Sequence, residues 1–185
     1  MELLDEPLPG VLDLRTRVFA DDRGSFTETF SRRTMARFGL DAEFVQDNES
    51  YSAARGTIRG LHLQLDPHAQ GKLIRVLRGA IHDVAVDLRP GSPTHGHHVG
   101  VDIEAGDHRA LWLPPGFAHG FCTLVDDTVV AYKVTALYEP GAERTIRYDD
   151  PTLAIDWPVD PADAVLSDKD AHAASFAALR EEVGG

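Results

Sequence analysis

Three observations predict an all-β sandwich or barrel. Short runs rich in β-branched and aromatic residues recur along the chain, Gly and Pro punctuate nearly every junction between them, and helical patterning is confined to residues 31–38 and the stretch after Ser167. No internal repeat, low-complexity tract or interdomain linker interrupts the 185 residues, so one domain spanning 1–185 is expected, with chain enough for a sizeable core.

Residues 1–20 read as one or two edge strands, broken by Pro7 and Pro9, with weak alternation over Val11–Phe19. After a turn at Asp21–Gly24, Ser25–Phe30 alternates cleanly and places Phe26, Glu28 and Phe30 on one face. A carboxylate between two phenyl rings is either an edge charge that opposes aggregation or a ligand contact. Ser31–Phe38 predicts a short helix with Ser31 as N-cap and Gly39 as its stop. Phe44–Asn48 leads into a polar loop through Gly56, and Thr57–Gln64 follows as a buried strand. Asp66–Gly71 is loop. Lys72–Arg78 and Ile81–Arg89 form a hairpin about Gly79-Ala80, and the turn-rich run Pro90–His98 leads into the strand Val99–Ile103. Leu111–Gly116 ends a strand in a tight turn. Phe117–Val125 and Thr128–Val134 make a second hairpin about Asp126-Asp127. Tyr138–Glu143 is loop, Thr145–Tyr148 a short strand and Asp149–Thr152 a turn. Ser167 with Asp170 fits an acidic capping box opening an alanine-rich helix to about Val183.

His62 stands out because it lies within the apolar strand Thr57-Ile-Arg-Gly-Leu-His-Leu-Gln64, where an imidazole must face a packed interior or a cavity. In the first hairpin, Arg78 opposite Ile81 puts Val76 against Asp83 and Lys72 against Asp87, so Lys72, Ile74, Val76, Asp83 and Ala85 share a face. In the second, Val125 opposite Thr128 puts Phe121 against Tyr132 and His119 against Val134, and His119, Phe121, Val130 and Tyr132 share a face. Strict alternation sends Arg59 and His62 to opposite faces unless Gly60 carries a bulge. A buried base beside a cation is what proton transfer from carbon requires: imidazole titrates near neutrality, and an ammonium stabilises developing oxyanion charge. The plainer alternatives are a hydrogen-bonded core histidine, an ordinary strand tyrosine at Tyr132, and a purely capping role for Asp170.

Composition narrows the partners. A formal charge of -12 argues against nucleic acid and anionic membranes, while leaving a small anionic substrate open to local arginines and lysines. No apolar run is long enough to span a bilayer, and Met1–Glu6 has neither the basic flank nor the apolar core of a signal peptide, so a cytoplasmic location is expected. The single cysteine, Cys122, cannot form an internal disulfide and reads as a small core residue. His95, His97 and His98 lack a carboxylate at metal-binding spacing and read as solvated; no metal is expected.

The runs Asp22–Glu28, Phe44–Asn48, Ile58–Gln64, Gln70–Lys72, Asp83–Arg89 with Ser92-Pro-Thr94, Pro115–Phe121, Tyr132-Lys133, Ile155–Pro158 and Leu166–Asp170 together resemble the dTDP-4-dehydrorhamnose 3,5-epimerase family, in that family's order and over nearly the whole chain. The resemblance implies a cupin-like jelly-roll barrel with a short N-terminal helix and a C-terminal helix. It implies a cofactor-independent epimerase acting on a dTDP-linked 4-keto-6-deoxyhexose, with His62 as base, Asp170 holding it, Tyr132 as acid and Lys72 stabilising the enolate. Arg23, Glu28, Gln46, Asn48, Arg59, His119, Tyr138, Glu143 and Lys169 are implied as substrate contacts, with Asp83 in support. A homodimer with exchanged N-terminal strands is implied as well. Arg147-Tyr-Asp149 departs from the family pattern, where tryptophan is commoner, and His82 is an additional histidine. Close alternatives are a 3-epimerase or a 3,4-ketoisomerase on a related sugar. More distant ones are a metal-dependent cupin oxygenase or isomerase and a non-catalytic sugar-nucleotide binding module.

Overall fold

A computed structural model describes residues 1–183. In chain order the strands are β1 (Glu2–Asp5), β2 (Leu12–Arg15), β3 (Val18–Asp21), β4 (Gly24–Thr27), β5 (Gln46–Ser52), β6 (Ile58–Gln64), β7 (Lys72–Arg78), β8 (Ala80–Asp87), β9 (His98–Glu104), β10 (Arg109–Leu113), β11 (Phe117–Thr123), β12 (Thr128–Val134) and β13 (Glu143–Thr145). The helices are α1 (Arg32–Met35), continued by a 3₁₀ turn over Ala36–Phe38, α2 (Asp168–Ala171) and α3 (Phe176–Val183). None of these helices is long and apolar enough to cross a membrane.

Two antiparallel sheets face each other, one ordered β1-β2-β10-β7-β12-β5 and the other β13-β6-β11-β8-β9, while β3 and β4 pair only with each other. This is the jelly-roll arrangement expected of the sequence. The core between the sheets is built from alternate residues of both walls, among them Ile74, Val76, Leu111 and Val130 from one and Ile81, Ala85, Phe117 and Phe121 from the other. Outside the five-stranded sheet, Leu61, Leu63, Val84 and Val86 are covered by Phe176 and Leu179 of α3. Outside the six-stranded sheet, Leu12, Leu14, Leu73 and Trp112 are covered by Met35 of α1 and Leu40.

Neither expected hairpin forms. β7 pairs with β10 and β12, whereas β8 pairs with β9 and β11, so the chain crosses between sheets at Gly79, whose φ is +79 and where a side chain would stand 2.4 Å from Thr128 Oγ1. The second expected hairpin fails the same way, because β11 lies between β6 and β8 while β12 lies between β7 and β5. The cause is that strand parity fixes which side chains point inward and leaves open which strand is the neighbour. Lys72, Ile74 and Val76 therefore do point inward, but they meet Asp83 and Ala85 across the sandwich.

Three further expectations need correction. Residues 46–52 form the strand β5 in full ladder with β12, not a polar loop. Phe26, Glu28 and Phe30 share no strand face: β4 ends at Thr27, Phe26 is 70% exposed, Phe30 packs edge-on against Phe44, and Glu28 accepts a hydrogen bond from Thr34 Oγ1. The C-terminal helix is two helices. Ala174 bridges to Ile146, Asp150 Oδ2 accepts the Phe176 N–H and Ser175 Oγ accepts that of Ala178, so tertiary hydrogen bonds override alanine's helix preference between them. The first helix agrees with expectation: Ser31 Oγ accepts from Thr34 N and Gly39 closes it at φ 75.

Candidate active site

A cleft of about 430 Å³ opens between the sheets, lined on the six-stranded side by Gln46, Asn48 and Ser50 of β5, Lys72 of β7 and Tyr132 of β12. The other wall supplies Arg59, His62 and Gln64 of β6, His119 and Phe121 of β11 and Glu143 of β13, and Asp170 and Lys169 of α2 close one end.

The expected bulge at Gly60 is what brings Arg59 and His62 into this one space. On β11 His119 and Phe121 are two positions apart, but their partners on β6, His62 and Arg59, are three apart, so β6 carries one extra residue and its parity resets. Gly60 has φ +130, and a side chain there would stand 2.5 Å from Gly120 Cα and 2.7 Å from the His119 carbonyl oxygen. Only glycine fits that conformation and that approach.

His62 Nε2 lies 2.6 Å from Asp170 Oδ1. Asp170 occupies the first turn of α2, and its backbone N–H is capped by Ser167 Oγ. Its carboxylate turns to the imidazole, so capping and orientation coexist. Burial opposes ionisation of Asp170, but hydrogen bonds from His62 and Ser167 outweigh it and hold its pKa below the usual value. With a carboxylate accepting from Nε2–H, Nδ1 is the nitrogen left to take a proton.

Lys72 is 7% exposed, and its Nζ donates to the His62 carbonyl oxygen at 3.0 Å. Burial pushes its pKa down to about 8, against the pull of Asp83 and Glu143. His119 Nε2 stands 2.9 and 3.0 Å from the two Asp83 carboxylate oxygens, and burial lowers the His119 pKa, so this imidazole is neutral and its tautomer is set by Asp83. Tyr132, opposite Asn48 in the β5–β12 ladder, has its pKa raised by burial and keeps its proton at neutral pH.

Around this centre, Gln46 Oε1 accepts the Tyr138 N–H at 3.2 Å, Tyr138 donates to Glu143 Oε2 at 2.9 Å, and Lys169 Nζ pairs with that same oxygen at 2.6 Å. Arg59 is fixed through Nε to Ser52 Oγ at 3.1 Å and through Nη2 to the Tyr51 carbonyl at 2.8 Å. Of the residues singled out from the sequence, two lie elsewhere. Arg23 sits on the exposed β3–β4 turn, paired with Asp21, and Glu28 lies near α1. Ser50, Gln64, Gln70, Phe121 and Ser167 line the cleft without having been singled out as site residues. Ser50 shares strand parity with Gln46 and Asn48, a signal hidden by reading that stretch as loop. His95 stacks on Phe176, and His97 and His98 are exposed, all outside the cleft.

Fold and cleft together define a cupin-like jelly-roll enzyme whose interior cleft carries an imidazole–carboxylate pair on one wall and a tyrosine on the other. The family model for dTDP-4-dehydrorhamnose 3,5-epimerase matches residues 5–178. The chain belongs to the dTDP-4-dehydrorhamnose 3,5-epimerase family. It is 49% identical over 166 residues to the dTDP-4-dehydrorhamnose 3,5-epimerase of Sinorhizobium fredii, covering 90% of this chain and 85% of that one. Among solved structures it is similar to the Bacillus anthracis enzyme with TDP and PPi bound, at 46% identity and a TM-score of 0.92 over 95% of this chain and 99% of that one. It is also similar to the Legionella pneumophila enzyme in complex with dTDP-4-keto-L-rhamnose, at 42% identity and a TM-score of 0.91 over 98% and 95% of the two chains.

Proposed function

We propose that this protein inverts C3 and C5 of dTDP-4-dehydro-6-deoxy-D-glucose, giving dTDP-4-dehydro-L-rhamnose. The observation that carries the reading is the placement of the His62–Asp170 pair and Tyr132 on opposing sheets of one cleft. The 4-ketone acidifies the protons on both neighbouring carbons. Inversion at either requires a base on one face of the ring and an acid on the other. His62 removes the proton through Nδ1, the resulting imidazolium is stabilised by Asp170, and Tyr132 returns a proton from the opposite wall. Lys72, charged below its pKa of about 8, stabilises the enolate oxygen in a site where low dielectric strengthens the attraction.

Arg59 suits the diphosphate, because a guanidinium already fixed by the Ser52 hydroxyl and the Tyr51 carbonyl presents its remaining N–H groups in a rigid fork. Tyr138, Glu143 and Lys169 suit the nucleoside end. The working form is a homodimer in which the β3–β4 ribbon lies against a second copy. That ribbon leaves Phe19 half exposed and Phe26 70% exposed in the single chain, and it carries Arg23 away from its own cleft. Arg23→Ala is therefore expected to raise KM in the assembled protein.

The deciding experiment is turnover in heavy water followed by proton NMR. Deuterium at both C3 and C5 of the product is expected; incorporation at C3 alone would overturn the two-carbon reading in favour of a 3-epimerase.

A further inference from the structure

We infer that Gln64 is a positioning residue for the nucleoside end of the substrate: its carboxamide pins the segment 136–139 beside the cleft and so sets where Tyr138 stands. This rests on the proposed sugar-nucleotide reading. Residues 135–142 join β12 of the six-stranded sheet to β13 of the five-stranded sheet. Main-chain bonds tie the two ends of this segment to other strands and loops, with the Thr135 N–H donating to the Gly71 carbonyl and the Ala142 carbonyl accepting from the Leu65 N–H. Its middle is held by three glutamine side chains. Gln70 Nε2 donates to the Ala136 carbonyl at 2.8 Å, and Gln46 Oε1 accepts the Tyr138 N–H at 3.2 Å. Gln64 makes two of these bonds at once: its Nε2 donates to the Leu137 carbonyl at 3.2 Å and its Oε1 accepts the Glu139 N–H at 2.8 Å.

The chemistry of the amide separates Gln64 from a substrate contact, although it lines the cleft. Its second N–H donates to the His68 carbonyl at 2.7 Å, so both donors are spent on the protein and none remains for a ligand. Carbonyls on one side and an N–H on the other also fix which way the amide points. Gln64 is buried, so these bonds form away from water, and losing one leaves a main-chain group unpaired. Leu137 and Tyr138 are both exposed, so core packing does not hold them, and the glutamine amides set their place. The Tyr138 hydroxyl donates in turn to Glu143 Oε2, which carries the placement on to the first residue of β13. Gln64 lies two residues from His62 on β6, so one strand carries both the proposed base and the anchor for the nucleoside end.

The test is a double-mutant cycle on dTDP affinity by calorimetric titration, with wild type, Gln64→Glu, Tyr138→Ala and the pair, and with steady-state turnover of the dTDP-4-keto sugar and thermal melting alongside. Glutamate keeps the shape but, when ionised, turns an acceptor toward the Leu137 and His68 carbonyls. Gln64→Glu should bind dTDP roughly tenfold more weakly and raise KM in step. Its kcat should stay within about threefold of wild type, because the His62–Asp170 pair and the Lys72 contact take none of their bonds from Gln64. In the Tyr138→Ala background the same change should cost less than about twofold. Unchanged dTDP affinity in Gln64→Glu would overturn the inference. So would an equal loss in both backgrounds, which marks an action independent of Tyr138, and a loss confined to kcat, which marks a disturbed base strand. Tyr138→Ala binding dTDP as wild type does would overturn it too, since nothing would be left to position. Should the glutamate variant melt far below wild type, Gln64→Met, uncharged and of similar length, is read by the same criteria. Wild-type protein that neither binds dTDP nor turns over the sugar would instead overturn the substrate reading beneath it.

Discussion

Raising the pH should weaken catalysis through Lys72. Burial lowers its pKa from the ordinary 10.5 to about 8, a bias of roughly 3 kcal/mol against the charged form. With that value the ammonium is about nine-tenths protonated at pH 7 and about one-tenth at pH 9, whereas an unperturbed lysine would remain almost wholly charged at both. Tyr132 does not confuse the window, because burial raises its pKa above the usual 10. The assay is kcat/KM between pH 6 and 10, which reports the free enzyme. The expected profile falls with an apparent pKa near 8 and by about tenfold per pH unit beyond it. In Lys72→Arg the absolute rate is lower, but the limb moves out of range because a guanidinium stays charged. A flat wild-type profile to pH 9.5, or a limb near 8 that survives in Lys72→Arg, would refute the assignment. Stability carries the opposite sign: the folded pKa lies below the unfolded one, so charged Lys72 opposes folding below about pH 8. That penalty is relieved as pH rises from about 8 toward 10.5, and any stabilisation from this group appears in that window.

Asp170→Asn should keep the fold but lower kcat by roughly 10²–10⁴-fold, because an amide can neither fix the Nε2–H tautomer nor stabilise the imidazolium; an unchanged kcat would detach Asp170 from the reaction. Tyr132→Phe should still exchange substrate hydrogen for solvent deuterium, because His62 can return a proton to the face it came from, while product formation collapses; NMR reads both. Gly60→Ala should cost about 3 kcal/mol or more by denaturant titration, since the new methyl meets the backbone of His119 and Gly120 on a residue at φ +130.

The side each residue faces was legible in the sequence, and its strand neighbours were not. Alternation placed Lys72 with Asp83 and His119 with Tyr132 on the interior, yet these pairs belong to different sheets, because Gly79 and the Asp126-Asp127 turn carry the chain across the sandwich instead of doubling it back. A bulge at Gly60 could be posed from the sequence only as the condition for Arg59 and His62 to share one site. β5 was not, since Gln46–Ser52 offers no apolar face: its inward residues are polar because they face a cleft and not a core. The gap between α2 and α3 was hidden because it depends on Asp150 and Ile146, distant in sequence. The paired role of Asp170, cap neighbour and imidazole partner, could be posed from Ser167–Asp170 but not decided without the 2.6 Å contact.

Because Tyr132 and His62 are mounted on separate walls, nothing covalent or ladder-bonded nearby sets the span between them. The spacer is the interdigitated filling of Val76, Leu111, Val130 and Phe117. Shaving or padding that filling far from the sugar would act as a shim, widening or narrowing the reaction gap. Selection for turnover and selection for a well-filled interior therefore fall on the same residues.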